Sequence, residues 1–363
     1  MSATIERIVT RVVAVPLDEP ILNPFLGSRT QFATLLVEVH TSDGASGFGY
    51  ASIESVRMVR AVQSIIEDLE VLIKGMDPLR RAQVYEHMWR STVDLLHDGA
   101  VNLALTAIDV ALWDLCGKLA NQPLWKLLGG FRQRQPVYAS WTLWRHHDND
   151  RLQADAAKLV ASGHRAMKLR LGGGRKLADD RVRAKLVRDA VGPDVAIMVD
   201  ALWGLTATEG VRMANMLGEL DYARLEEPVR EGDFEGLAHV RQTRALPIAA
   251  GERISRMALL KNLLPAIDHV ILDAHHLGGI TPWLRAAAEV ENWNIPVSAH
   301  SHPLVHSHLL ASIRLGAWVE YMPWWDALFI DPPRPVNGAF EMSEKPGLGL
   351  VIDEQAVARF LVK

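Results

Sequence analysis

The stretch AIMVDALWGLTATEGVRMANMLGELDYARLE, residues 196–226, decides the fold. Ala196 to Asp200 is a short apolar run ending in a carboxylate, and Tyr222 to Glu226 is a second. The segment between them has the length and apolar spacing of an amphipathic helix. A strand, helix, strand unit of this kind belongs to a parallel sheet. The same rhythm runs outward from about Gln135. Val137 to Trp141, Ala166 to Leu171, Ile248 to Gly251, Val270 to Asp273, Val297 to His300 and Trp318 to Tyr321 bring the set to eight strands. Eight strands at intervals of roughly 20 to 30 residues predict a modified (β/α)8 TIM barrel of the α/β class, since an open doubly wound sheet usually has fewer. Gly172-Gly173-Gly174 lacks dinucleotide or P-loop spacing and reads as a βα turn.

Upstream the pattern is that of an α+β unit. Ile5 to Leu17, Ala33 to His40 and Ala45 to Ala51 read as strands, the last two joined by a Thr41-Ser42-Asp43-Gly44 turn. Helical spacing follows over Val56 to Lys74, Arg80 to Leu96 and Val101 to Leu119. This divides the chain into an α+β capping domain (1–125), a barrel carrying the catalytic residues (126–330), and a C-terminal segment (331–363) expected to return to the cap and complete it.

Composition narrows the function. A chain of 363 residues, 49% hydrophobic and 23% charged, holds a large core, which excludes fibres, short toxins and disordered tails. The single cysteine, Cys116, excludes a disulfide framework and reads as a buried thiol in a reducing compartment. Thirty-nine basic against 43 acidic residues, with no long run of either sign, argue against a nucleic-acid face or a membrane anchor and for a small-molecule partner. The N-terminal segment lacks a signal peptide's apolar core and no stretch reads as a membrane span, so a cytoplasmic protein is expected.

In such a barrel the C-terminal strand ends converge on one mouth, and here they are polar. Lys168 and Arg170 share a face of the second strand; Asp200, Glu226, Glu252, Asp273, His300 and Glu320 stand at the ends of the third to eighth. Asp200, Glu226 and Glu252 are each 26 residues apart, one βα unit. Three converging carboxylates repel one another unless a cation compensates, and an all-oxygen set suits a hard ion such as Mg²⁺. Asp273 and His300 suggest a pair in which the carboxylate orients the imidazole and raises its basicity.

With these residues in place, the chain resembles the enolase superfamily in its mandelate racemase branch. Ala104 to Lys118 matches the long helical signature between cap and barrel, and Val199-Asp200, Leu225-Glu226-Glu227-Pro228 and Gly251-Glu252 match the metal-ligand segments. Leu272-Asp273-Ala274, Leu277-Gly278-Gly279-Ile280 and Pro296 to His300 match the segments of the Asp-His dyad. The resemblance implies Mg²⁺ on Asp200, Glu226 and Glu252, a homo-oligomer, and removal of the proton α to a substrate carboxylate, with Glu320 as an acid hydrogen-bonded to that carboxylate. Two positions depart from the pattern. Arg170 stands where the family has a second lysine acting as a base, and arginine is a poor base. Leu202 replaces a usual asparagine, so support of the ligands must differ.

With one evident base, the expected activity is dehydration of an acid sugar, an aldonate or aldarate, to a 2-keto-3-deoxy acid. A racemase or epimerase using Lys168, a lactone cycloisomerase, and a non-catalytic sugar-acid binding protein are the alternatives. Substrate contacts are expected from Asn23, Phe25 and Ser52 in cap loops, and from Trp203, His276 and Trp324 near the mouth. Trp141 reads as core, His275 as lining the mouth or capping its loop, and His302, His306 and His308 as solvated or helix-start histidines rather than zinc ligands.

Overall fold

The N-terminal strands outrun their sequence signal. In the computed structural model, which describes residues 3–23, 27–53 and 55–362, β1 (Ile5–Asn23) and β2 (Gly27–Thr41) form one long antiparallel ribbon, and β3 (Ser46–Ile53) pairs with β2. The Asp18-Glu19-Pro20 segment breaks the apolar alternation, yet after an irregularity between Pro16 and Ile21 the register resumes at Ile21 opposite Arg29. Asn23 therefore ends a strand and Ser52 lies within one, where loops were expected.

Three helices cover this sheet. α1 (Val56–Ile73) buries Val59, Val62, Ile66, Leu69 and Ile73, a stripe at three- and four-residue spacing. α2 (Arg81–Ser91) is shorter than its pattern predicts, because a 3-10 turn over Val93–Leu95 replaces its last turn. α3 (Gly99–Leu119) is buried on every side. Among the described residues it is long and apolar enough to cross a membrane, which corrects the reading that no stretch is, but most of it is buried in the molecule. Glycine permits its approach to the sheet: a Cβ at Gly47 would lie 2.0 Å from the Ala111 carbonyl oxygen, and one at Gly49 would lie 2.2 Å from that of Ala107.

The barrel strands are β4 (Arg134–Ala139), β5 (Ala166–Arg170), β6 (Ala196–Asp200), β7 (Arg224–Glu226), β8 (Ile248–Ala250), β9 (His269–Leu272), β10 (Val297–Ala299) and β11 (Gly316–Tyr321). They are parallel neighbours in chain order, and Val319 to Tyr321 pair with Val137 to Ala139 to close the ring. The departure from a regular barrel comes after β11, where a 3-10 helix (Pro323–Leu328) stands in place of an outer helix. β12 (Ala339–Glu341) then pairs antiparallel with β4, and the chain ends against the cap, with Leu361 bridged to Val13.

Buried carboxylates fasten α3 to both parts. Asp114 accepts hydrogen bonds from the Phe48 N–H at 2.8 Å and the Leu348 N–H at 2.7 Å. Asp109 accepts from the Thr281 N–H and hydroxyl at 2.8 and 2.7 Å. Further up α3, Asn102 and Thr106 donate to the carbonyls of His276 and His275 at 2.6 and 3.2 Å. The cap helix thus holds the backbone of the turn that follows Asp273.

Candidate active site

A cavity of about 820 Å³ opens between the cap and the C-terminal strand ends. Lys168, Arg170, Asp200, Glu252, Asp273, His300 and Glu320 all line it. Register explains part of this convergence, since Arg170, Asp200 and Glu226 are consecutive partners across β5, β6 and β7. Glu226 is 0% exposed and sits beneath the ammonium of Lys168.

Lys168 is the node of the charge network. Its Nζ lies 2.7 Å from Glu226, 2.7 Å from Glu320 and 3.2 Å from Asp200. Burial alone would lower its pKa, but Glu226 and Glu320 outweigh burial and hold it well above the usual lysine value. Glu320 shows the converse balance: burial would raise it, yet Lys168, His300 and Arg170 bring it down to about 2. Its oxygens accept hydrogen bonds from the Ser140 hydroxyl at 2.5 Å and the Ser301 N–H at 2.7 Å. With Lys168 and Arg170 beside it, Glu320 is held toward its ionised form.

Arg170 is pinned. Its guanidinium donates to the Ser140 hydroxyl at 2.6 Å and the Thr142 carbonyl at 3.1 Å, and it lies 3.9 Å from Glu320.

The acidic cluster is larger than three. Glu227, adjacent to Glu226, is also buried, accepting from the Gly251 N–H at 2.8 Å and from the Trp203 indole at 3.0 Å. Burial first, then Glu252, pushes Glu227 well above the usual carboxylate range. Burial likewise lifts Glu252 to about 7, with Asp200 and Glu226 adding to it against His300 and Lys168. Carboxylates crowded closely enough that Glu227 and Glu252 are both pushed upward, even with Lys168 among them, fit a divalent cation. The asparagine absent at Leu202 is replaced by backbone: Leu202 and Trp203 both adopt left-handed conformations, and the Leu202 N–H donates to Asp200 at 2.9 Å. Below the cluster, Arg224 holds the other oxygen of Glu226 at 3.1 Å.

On the opposite wall the His300 Nδ1 lies 2.7 Å from Asp273, and its Nε2 is 3.9 Å from Glu252. Burial would depress His300, but Glu252 and then Asp273 outweigh it and lift the imidazole to about 10. Asp273 itself is held well below the usual range, hydrogen bonds from His275 and His300 overcoming its burial.

The remaining histidines are not solvated, as the sequence reading had them. His302 does start a helix, Pro303–Ser312, but His302, His306 and His308 are all buried. Asp273, His275 and His306 bring ligating atoms within 4.8 Å of one another. His306, however, already accepts from the Ala274 N–H at 3.0 Å and bonds the Ser301 carbonyl at 2.8 Å, while His275 bonds the Tyr50 carbonyl at 3.2 Å. Backbone groups thus use both ring nitrogens of His306 and one of His275, while the His275 Nδ1 faces Asp273 at 3.6 Å.

Of the substrate candidates, Ser52, Trp203, His276 and Trp324 line the cavity. Ser52 is committed elsewhere, however, bonding Thr34 at 2.9 Å and the Trp325 indole at 2.8 Å. Trp324 stacks on Phe32 at 4.4 Å. Phe25 and the side chain of Asn23 lie outside the described residues. Trp141 packs edge-on against Tyr321 at 5.4 Å, as a core aromatic would. Sequence reasoning missed Ser140, Glu227, Arg224 and the arginines Arg29, Arg145 and Arg253 that line the cavity. Only Glu227 carried a signal, the doubled acid before Pro228.

The mandelate racemase / muconate lactonizing enzyme N-terminal domain matches residues 6–129, and the enolase C-terminal domain-like family matches residues 151–356. A 3,6-anhydro-α-L-galactonate cycloisomerase of Streptomyces coelicolor is 28% identical over 99% of both chains. An L-talarate/galactarate dehydratase of Salmonella typhimurium is 28% identical over 90% of this chain and 82% of its own. A crystal structure of L-talarate dehydratase from Polaromonas sp. JS666, complexed with Mg and L-glucarate, superposes with a TM-score of 0.94 at 28% identity, covering 100% of this chain and 98% of the other.

Proposed function

The chain belongs to the mandelate racemase / muconate lactonizing enzyme family of the enolase superfamily, and we propose that it is a Mg²⁺-dependent dehydratase of an acid sugar. The observation that carries this reading is the asymmetry of the cavity: an imidazole paired to a carboxylate on one wall, and a pinned guanidinium on the other. Dehydration needs a base on one face of the α-carbon only; racemisation ordinarily needs one on each.

The steps follow from the side chains. His300 Nε2 takes the proton on the carbon α to the carboxylate, while its Nδ1–H stays bonded to Asp273 and the developing imidazolium is stabilised. The electron pair moves into the carboxylate as an enediolate, and Lys168 is the cation placed to favour that charge over the ground state. When bound by Asp200, Glu226 and Glu252, Mg²⁺ would supply charge compensation at the same carboxylate and offset the Glu252 charge that otherwise lifts His300. Collapse of the enediolate breaks the β-carbon to oxygen bond as the imidazolium returns its proton to the departing hydroxyl. Water leaves, and the enol tautomerises to a 2-keto-3-deoxy acid.

The Streptomyces relative, whose name gives an anhydro sugar acid as substrate, supports a cycloisomerase as the second reading, since expelling a ring oxygen by β-elimination also needs one base. An epimerase would need Lys168 as a neutral amine, which Glu226 and Glu320 oppose. Turnover over hexonates, pentonates, aldarates and their lactones with Mg²⁺ tests the proposal. A 2-keto-3-deoxy product from an open-chain acid is expected; epimers alone, or reaction of lactones alone, would contradict it.

A further inference from the structure

Beneath the carboxylates the barrel interior holds a polar layer. Arg224, on β7, is 1% exposed, and its guanidinium carbon lies 5.2 Å from the ring centroid of Tyr138 and 5.9 Å from that of Trp318. Its Nη1 donates to the Ser298 hydroxyl at 3.1 Å and to the His269 Nε2 at 3.2 Å. Because arginine only donates, that Nε2 is an acceptor, and the Ser298 hydroxyl, 2.8 Å away, donates to it. Residues of β7, β9 and β10 thus fix one buried cation, whose Nη2 reaches up to Glu226 Oε2 at 3.1 Å.

A buried ion pair is a weak way to stabilise a barrel, since desolvating two charges offsets much of their attraction. Its geometry suits another use. Glu226 has its Oε2 on Arg224 and its Oε1 on Lys168 at 2.7 Å. Asp200 repeats the pattern: Oδ1 accepts from the Leu202 N–H at 2.9 Å, and Oδ2 faces Lys168 at 3.2 Å. Each carboxylate turns one oxygen to the ammonium that lines the cavity and has the other tied to the protein.

We propose that Arg224 is a positioning residue that sets the choice of metal: by holding one oxygen of Glu226 it leaves a one-oxygen ligand, which favours Mg²⁺ over Ca²⁺. Mg²⁺ demands near-ideal octahedral geometry and keeps several waters, whereas Ca²⁺ takes more ligands and accepts a carboxylate through both oxygens. With the second oxygen of Glu226 held by a guanidinium anchored on Ser298 and His269, that wider coordination is not offered. The inference rests on the metal reading of Asp200, Glu226 and Glu252, and is independent of which acid the enzyme dehydrates.

Calorimetric titration of the chelated protein with Mg²⁺ and with Ca²⁺, in the absence of substrate, gives the ratio of the two affinities. The ratio is the readout because losing a buried positive charge, or loosening the site, moves both divalent ions the same way. Arg224→Met is expected to shift it toward Ca²⁺ about tenfold or more. Arg224→Lys, which keeps a cationic donor for Oε2, should retain most of the wild-type ratio. Ser298→Ala, which loosens the anchor without emptying the layer, should shift the ratio in the same direction by a smaller factor, and decides the matter if the Met variant does not fold. An unchanged ratio in Arg224→Met, or in Ser298→Ala where only that variant folds, overturns the proposal, as does an equal shift in Arg224→Lys. A wild type that binds neither ion removes the metal reading and the proposal together, whereas binding of both ions with an unmoved ratio removes the role of Arg224 alone.

Discussion

The guanidinium of Arg170 sits 3.7 Å over the ring of Trp144, which fixes a permanent cation on the face of the cavity across from His300. A lysine there could not keep the Ser140 and Thr142 hydrogen bonds together with the ring contact. Arg170→Lys is expected to lower the dehydration kcat about tenfold or more, because Glu320 and Ser140 lose their partner, and to permit slow α-epimerisation. Product analysis by NMR checks both; an unchanged kcat would show that Arg170 is only a wall.

Metal dependence follows from the acidic cluster. Chelation should abolish activity and Mg²⁺ restore it. Glu252→Gln should remove most of the Mg²⁺-induced rise in Tm while leaving the metal-free protein at least as stable as the metal-free wild type, because a carboxylate lifted to about 7 by burial and its neighbours is relieved. Calorimetric Mg²⁺ titration and thermal unfolding test this. A large Tm loss in metal-free Glu252→Gln would show the carboxylate to be structural.

Lys168→Met should reduce kcat by about a hundredfold to a thousandfold, the range found on removing one group that stabilises developing oxyanion charge. Loss in KM alone would make Lys168 a binding residue.

How much of this was legible in the sequence varies with contact distance. The eight strands and their polar ends were readable because each is a local run followed by a helix-length stretch, and parallel closure then brings the ends together. Ser140 was not readable: its role exists only through Glu320, 180 residues away. Arg224 was open to the same two-residue reading as Lys168 and Arg170, which puts it on the face of Glu226, but its position deeper along the strand drew no attention to it. The histidines on Pro303–Ser312 were misread as solvated since their polarity suggests water, yet backbone groups satisfy His306 and His308 inside the protein. α3 matched its predicted span closely, but its burial on all sides has no periodic signature.

His308 provides a stability readout away from the acidic cluster. Its Nδ1 accepts from the Trp125 N–H at 3.2 Å and its Nε2 faces the Leu348 carbonyl at 3.2 Å, an arrangement that fixes the neutral tautomer. Burial lowers it from 6.5 to about 4. A histidine depressed in the folded state contributes stability above pH 6.5 that is lost as pH falls through about 4, because the unfolded chain takes up the proton first. His308→Gln should therefore reduce the acid-side slope of the unfolding free energy by up to about 1.4 kcal/mol per pH unit. Asp109 and Asp326, raised to about 6 chiefly by burial, work in the opposite sense, so the comparison is variant against wild type at each pH. Parallel curves would contradict the assignment.

The central claim is that His300 is the sole base. Incorporation of α-deuterium from D₂O into the substrate or product of Mg²⁺-loaded His300→Asn measures it most directly. The one-base account predicts that exchange and dehydration both vanish in this variant, with substrate still bound. Exchange persisting near the wild-type rate would contradict it, assign the proton to another group, with Lys168 the nearest candidate, and return the chain to the epimerase reading.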